Sequence, residues 1–179
     1  SNSPVSTNVV MFKDLPYDPV KDLTPLAKLG YGAMGIAVPA SSPIQNIEQL
    51  VEEAKKRPGQ LNYGSGSASY QIATELFLKQ AGIEANHVPY RGASAAITDL
   101  AGKQTDFVFA DYGALIPLAQ SNSIRVIAAT GDKRLKQAPD VPTLQESGYK
   151  DYYMVNWVAL FGPAGLPEDV QKVLSDAMV

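Results

Sequence analysis

The stretch that most constrains this chain is Leu61 to Leu78, LNYGSGSASYQIATELFL. A short apolar run containing Leu61 and Tyr63 enters, the small residues Gly64 to Ser69 follow, and a helical pattern leaves. In the helix Ile72, Ala73, Leu76 and Phe77 recur at the three-and-four spacing of one buried face. Ser69 stands where an N-cap is expected, its hydroxyl able to accept an amide N–H of the first turn. Glycine has no Cβ, so the backbone here can turn tightly and let a ligand come close. A helix start also leaves N–H groups unpaired at the positive end of its dipole. Such a crook suits a carboxylate, phosphate or sulfate. The alternative, a strand-to-helix turn with no ligand, stays open on this stretch alone. No Gly-Lys-Ser/Thr follows, and position 69 of the would-be GxGxxG is serine, so nucleotide motifs are absent.

The same strand–helix alternation runs along the chain. Thr24–Leu29 and the apolar run Ala33–Ala40 read as strands, the second buried. Asn46 caps a helix with Ile47, Leu50, Val51 and Ala54 on one face, stopped at Pro58-Gly59. After the central stretch, ended by Gly82, come a short strand His87–Tyr90, a helix opened by Arg91-Gly92-Ala93-Ser94, and a strand Phe107–Ala110 that ends at Asp111. A helix through Leu115 and Leu118, a strand Ile124–Thr130, a turn capped by Thr143 and an apolar run Met154–Phe161 follow. A last amphipathic helix carries Val170, Val173 and Leu174. Ser1–Asp22 reads as polar and turn-rich, with Leu15–Pro19 on an extended, bent path. Strands alternating with helices of about ten residues give an α/β class with a mostly parallel sheet. Ligands of open α/β sheets sit at the carboxyl ends of the strands. Three loops fall there: Gly64–Ser69, Tyr90–Ser94 and Asp111-Tyr112.

Composition excludes several chemistries. With 45% hydrophobic and 18% charged residues in 179, the chain can bury a core. A net charge of −3 gives no reason to invoke nucleic acid or an anionic membrane. No cysteine is present, which removes disulfides and thiolate zinc sites, and His87 is the only histidine. Within a strand-like run His87 reads as a structural or surface imidazole rather than a catalytic base. A carboxylate-only metal site has no support, and the loop serines have no evident His-Asp partners and no GxSxG setting. Arg91 either pairs an acid group bidentately or forms a salt bridge at the sheet rim. No apolar run reaches the roughly 18 residues of a membrane span. SNSPVSTN is not a signal peptide, so the chain is either cytosolic or a processed or trimmed piece. A start inside a loop-like stretch favours the trimmed piece.

Several stretches in order resemble one family, the substrate-binding receptors of tripartite tricarboxylate transporters, also called Bug proteins. They are LPYDPVKDLTPLAKL (15–29), LNYGSGSASYQIATELF (61–77), HVPYRGASAAITDLAGKQTDFVFAD (87–111), IRVIAATGDKRLKQAPDVPTLQESG (124–148) and WVALFGPAGLP (157–167). The resemblance implies a class II periplasmic-binding-protein clamp, periplasmic, without a cofactor and not an enzyme, that hands a small carboxylate to membrane partners. It implies one complete lobe, 40–156, with a first-lobe fragment and outgoing crossover in 1–39 and a return crossover and further fragment in 157–179. Carried over by position, it implies ligand contacts from Ser65, Gly66, Ser67, Ala68 and Ser69, from Arg91, Gly92 and Ala93, and from Asp111. Gly66-Ser67-Ala68-Ser69 departs from the family's longer Gly-Asn-Gly-Ser type loop, and Tyr112 replaces a common small amide. Asp111 either favours a solute that also donates, such as an amino or hydroxy acid, or bonds backbone near the loop. The effector domain of a transcription regulator, or an enzyme using Arg91 and Asp111, are the competing expectations on the same scaffold.

Overall fold

A computed structural model of the chain describes residues 3–178. The chain divides into two compact units, one of Ser1–Tyr31 with Asn156–Val179 and the other of Gly32–Val155. Strand β1 (Leu23–Pro39) begins in the first unit and ends in the second. The sequence suggested two strands here. Gly30 and Gly32 interrupt the apolar pattern without breaking the extended backbone, and a Cβ at either would meet nothing within 4 Å.

In the first unit a π-helical turn (Ser3–Thr7) runs into α1 (Asn8–Met11). The sequence reads this stretch only as polar and turn-rich. Tyr17 ties it down by donating from its hydroxyl to the Pro4 carbonyl at 2.8 Å. The Asp18 carboxylate accepts from the Val20 and Lys21 amides, an Asx turn around Pro19. These amide bonds hold the Asp18 carboxyl below its ordinary pKa. Strand β6 (Val155–Pro163) pairs with β1, and Ser175 of α6 (Glu168–Asp176) donates to the Leu26 carbonyl at 3.0 Å. The expected amphipathic helix is present as α6, but Val170, Val173 and Leu174 remain exposed in this unit.

The second unit is a three-layer sandwich. It contains α2 (Ile47–Lys56), β2 (Asn62–Ser65), α3 (Ala68–Ala81), β3 (Asn86–Pro89), α4 (Ala93–Ala101), β4 (Phe107–Asp111), α5 (Tyr112–Gln120) and β5 (Ile124–Ala129). The sheet order is β3-β2-β4-β1-β5. Strands β2, β3 and β4 are mutually parallel, and β1 lies antiparallel between β4 and β5. Four strands therefore share one direction and a single strand opposes them. Period-two alternation splits the core cleanly. Ile36, Val38, Phe107 and Phe109 face the layer of α2 and α3, and Ala37, Val108 and Ala110 face that of α4 and α5.

Helix α2 follows its sequence pattern throughout. Asn46 is its N-cap, accepting from the Gln49 amide at 2.9 Å, and Ile47, Leu50, Val51 and Ala54 are buried. Asn46→Ala is expected to cost about 1 kcal/mol, read as a lower urea midpoint with an unchanged slope. Thr143 and Glu146 form a reciprocal capping box. Glu146 accepts from the Thr143 amide at 2.7 Å, and its own amide donates to the Thr143 hydroxyl at 3.1 Å.

Candidate functional site

Strand β2 ends at Ser65, later than the sequence pattern suggested, so the connection to α3 is only Gly66-Ser67. Ser67, not Ser69, is the N-cap. Its backbone is extended (φ −163°, ψ 160°) and its hydroxyl accepts from the Tyr70 amide at 3.4 Å. Ser69 lies one step inside the helix and is buried. Two serines two positions apart look alike in a sequence, but only an extended residue can turn its side chain back over the first turn. The buried stripe of α3 is likewise turned from expectation. It runs through Tyr70, Ala73, Thr74, Phe77 and Leu78, while Ile72 and Leu76 are only partly covered. Thr74 qualifies because its hydroxyl donates to the Tyr70 carbonyl at 2.9 Å, leaving the methyl for the core.

The three loops meet. The Tyr90 amide, just past β3, donates to the Ser65 carbonyl at 2.8 Å. A Cβ built on Gly66 would lie 2.2 Å from the Gly92 carbonyl carbon and 2.3 Å from the Ala93 nitrogen. Gly66 is thus required by the backbone of the neighbouring loop, and not by a left-handed φ. This contact sets the start of α3 beside the start of α4. From the third loop, Asp111 ends β4 and is the N-cap of α5. The Tyr70 hydroxyl, in the first turn of α3, hydrogen-bonds with Asp111. Burial, reinforced by the Asp111 charge and this bond, pushes the phenol up to about 12. Gly92 and Asp111 give no side-chain cap to α4 and α5, so amides of both first turns remain for an outside acceptor.

Exposure differs among the expected contact residues. Gly66, Ser67, Ala68, Gly92, Ala93 and Asp111 are partly exposed, and Ser65 and Ser69 are buried. Arg91 is exposed, and among the described residues the ion pairs at sequence-distant or helical spacings involve other cations. The rim salt bridge left open by the sequence is therefore absent from the described residues. Two further groups join the expected residues at this edge. Tyr70 was signalled only by its place in the first turn after the loop. His87 was read as structural, yet its Nε2 lies 2.6 Å from Ser65 Oγ, with its ring stacked on Tyr63 at 5.1 Å. Burial lowers the His87 pKa and the Glu75 charge opposes that shift.

Chemically, the arrangement offers amides, hydroxyls and one free guanidinium to an anion, with one carboxylate beside them. Among the described residues no group of three or more His, Asp or Glu side chains could hold a metal ion. A cavity of about 260 Å³ lies elsewhere, lined by Ser42, Arg57, Lys103 and Asp106 where β4 begins. The three loops lie side by side at the carboxyl ends of β2, β3 and β4, an edge called the shelf below.

Comparison with known proteins bears on the fold and the family. The chain is 36% identical over 164 residues to the UPF0065 protein in the gbd 5' region of Cupriavidus necator, covering 90% of this chain and 49% of that protein. It is 26% identical to BugT of Bordetella pertussis, covering 98% of this chain and 54% of that one. The chain thus spans about half the length of the curated relatives it matches. Among solved structures it superposes on R. palustris Rpa4515 with adipate at a TM-score of 0.95 and 28% identity, over 99% of this chain and 60% of the other. It superposes on the periplasmic binding protein BugD at 0.91 and 26% identity, over 98% and 60%. These matches give the chain the α/β fold of class II periplasmic binding proteins. The family described as tripartite tricarboxylate transporter family receptor matches residues 1–179, and the chain belongs to that family of periplasmic solute-binding receptors, which are not enzymes.

Proposed function

We propose that this protein is the solute receptor of a tripartite tricarboxylate transporter and takes a small carboxylate on the shelf formed by the ends of β2, β3 and β4. The observation that carries this reading is the backbone contact of Gly66 with Gly92 and Ala93, which gathers two helix starts at one point. A carboxylate there accepts from amides of α3 and α4 and lies at the positive ends of both dipoles. Ser67 and the start of α4 hold the head group, and Arg91 supplies the countercharge. Asp111, already bonded to Tyr70, accepts from a donor on the solute. That favours amino or hydroxy acids over plain diacids. The adipate in Rpa4515 supports the carboxylate class. Membrane components of the transporter are the receiving partners.

Titration with adipate, malate, glutamate and nicotinate tests this. At least one should raise the melting temperature in a concentration-dependent way, as a ligand that binds only the folded state must. Native mass spectrometry of the purified protein should show a retained acid. Silence from all four acids with no retained acid would overturn the reading. Arg91→Gln is expected to weaken the binding acid about tenfold through loss of a charge-assisted bond, with little change in unfolding, because the side chain is exposed.

A further inference from the structure

Ser65 is buried to 4% exposure, yet its hydroxyl has a specific partner, the imidazole of His87 at 2.6 Å. The pair sits on adjacent parallel strands whose register places Tyr63 opposite His87 and Ser65 opposite Pro89. Tyr63 stacks on the imidazole and donates its hydroxyl to Glu75 of α3. The titratable groups facing the ring are therefore Tyr63 from β2 and Glu75 from α3, with Ser65 at the shelf end.

A serine hydroxyl carries one proton, so the bond to His87 fixes what it offers elsewhere. When Nε2 is unprotonated, Ser65 donates to it and turns a lone pair toward the shelf. When Nε2 carries a proton, the ring donates to Oγ and the serine proton is free for an acceptor. A carboxylate on the shelf selects the second arrangement, which the ring reaches as the neutral Nε2–H tautomer or as the cation, and the Glu75 charge favours the cation. We infer that His87 is a positioning residue that sets the donor direction of Ser65, coupling carboxylate uptake to protonation of this one ring. The inference rests on the carboxylate reading of the shelf.

The sign follows from linkage. An anion that prefers the donating ring raises the His87 pKa in the complex above that of the free protein. Affinity is then greatest below the free-state pKa, which burial holds under its ordinary value, and falls as pH rises through the higher pKa of the complex. Glu75 favours the cationic ring and keeps protonation within reach.

His87 is the only histidine in the chain, so ¹⁵N labelling of histidine reports it without assignment. In the free protein above the ring's pKa, Nε2 should show the shift of an unprotonated nitrogen. Adding adipate or malate should raise the ring's pKa and convert Nε2 to a donor. Affinity for the acid that binds should be about tenfold higher near pH 5.5 than near pH 8, the size of a charge-assisted bond. His87→Gln, whose amide donates at every pH, should bind well with a flat profile apart from the acid's own ionisation. Ser65→Ala should remove the pH dependence while unfolding at a similar urea concentration. Binding with an unchanged His87 pKa, or a wild-type profile that matches His87→Gln, would overturn the inference and leave the receptor reading intact. Failure of both acids to bind, together with the silence described above, would overturn both.

Discussion

Gly66→Ala is expected to eliminate binding of whichever of the four acids the wild type takes and to destabilise the Gly32–Val155 unit by about 1–3 kcal/mol, the usual cost of forcing extra atoms into a packed site. The added methyl would meet the Gly92 carbonyl carbon at 2.2 Å and the Ala93 nitrogen at 2.3 Å. Both are backbone atoms, so no side chain can swing aside. Relief requires the two loops to separate, which pulls the start of α3 away from the start of α4. Gly92→Ala is the control. Its φ is 179°, open to any residue, and a Cβ there meets nothing within 4 Å. Urea unfolding of the two variants, with titration of each by the acid that binds the wild type, should show a large loss on both measures for Gly66→Ala and a small change in stability for Gly92→Ala. Equal stability of the two variants would mean that the loops are not held by this contact.

The second large effect is expected at Phe77. Its ring is fully buried, tilted against Phe109 of β4 at 5.8 Å and edge-on to Tyr149 at 5.2 Å. Truncation leaves a cavity under the middle of α3 that neither the sheet nor the Tyr149 segment can fill without moving. Phe77→Ala should therefore cost about 3–5 kcal/mol, a large share of an ordinary domain's stability. Ile72→Ala on the same helix should cost much less, because Ile72 is only partly covered and lies outside the core cluster. The ratio of the two losses in denaturant melts identifies the inward face of α3. Comparable losses would show that the helix is rotated from the orientation described.

That helix also marks where sequence legibility ends. The Asn46 cap and the four apolar positions of α2 were readable because the cap is unambiguous and the face carries only aliphatic side chains. In α3 the inward stripe includes Tyr70 and Thr74, whose polar atoms are satisfied by Asp111 and by the helix's own carbonyl. A hydropathy pattern penalises both, so it turned the face toward Ile72. The meeting of three loops could be anticipated, because parallel strands place their carboxyl ends together. The partners across that meeting could not. Ser65 and His87 lie on different strands, and their proximity depends on a register that no local pattern encodes.

Strand β1 lies between β4 and β5, and Ile36, Ala37 and Val38 within it are wholly buried. During synthesis β4 emerges only after three helices and two other strands have followed β1 out of the ribosome, and β5 after a fourth helix. The β2-α3-β3-α4-β4 stretch can assemble from near neighbours in the chain, whereas β1 must wait for β4 before it has any partner in this unit. An apolar segment held unpaired that long gives a chaperone a binding window and makes closure of the sheet a slow, long-range event.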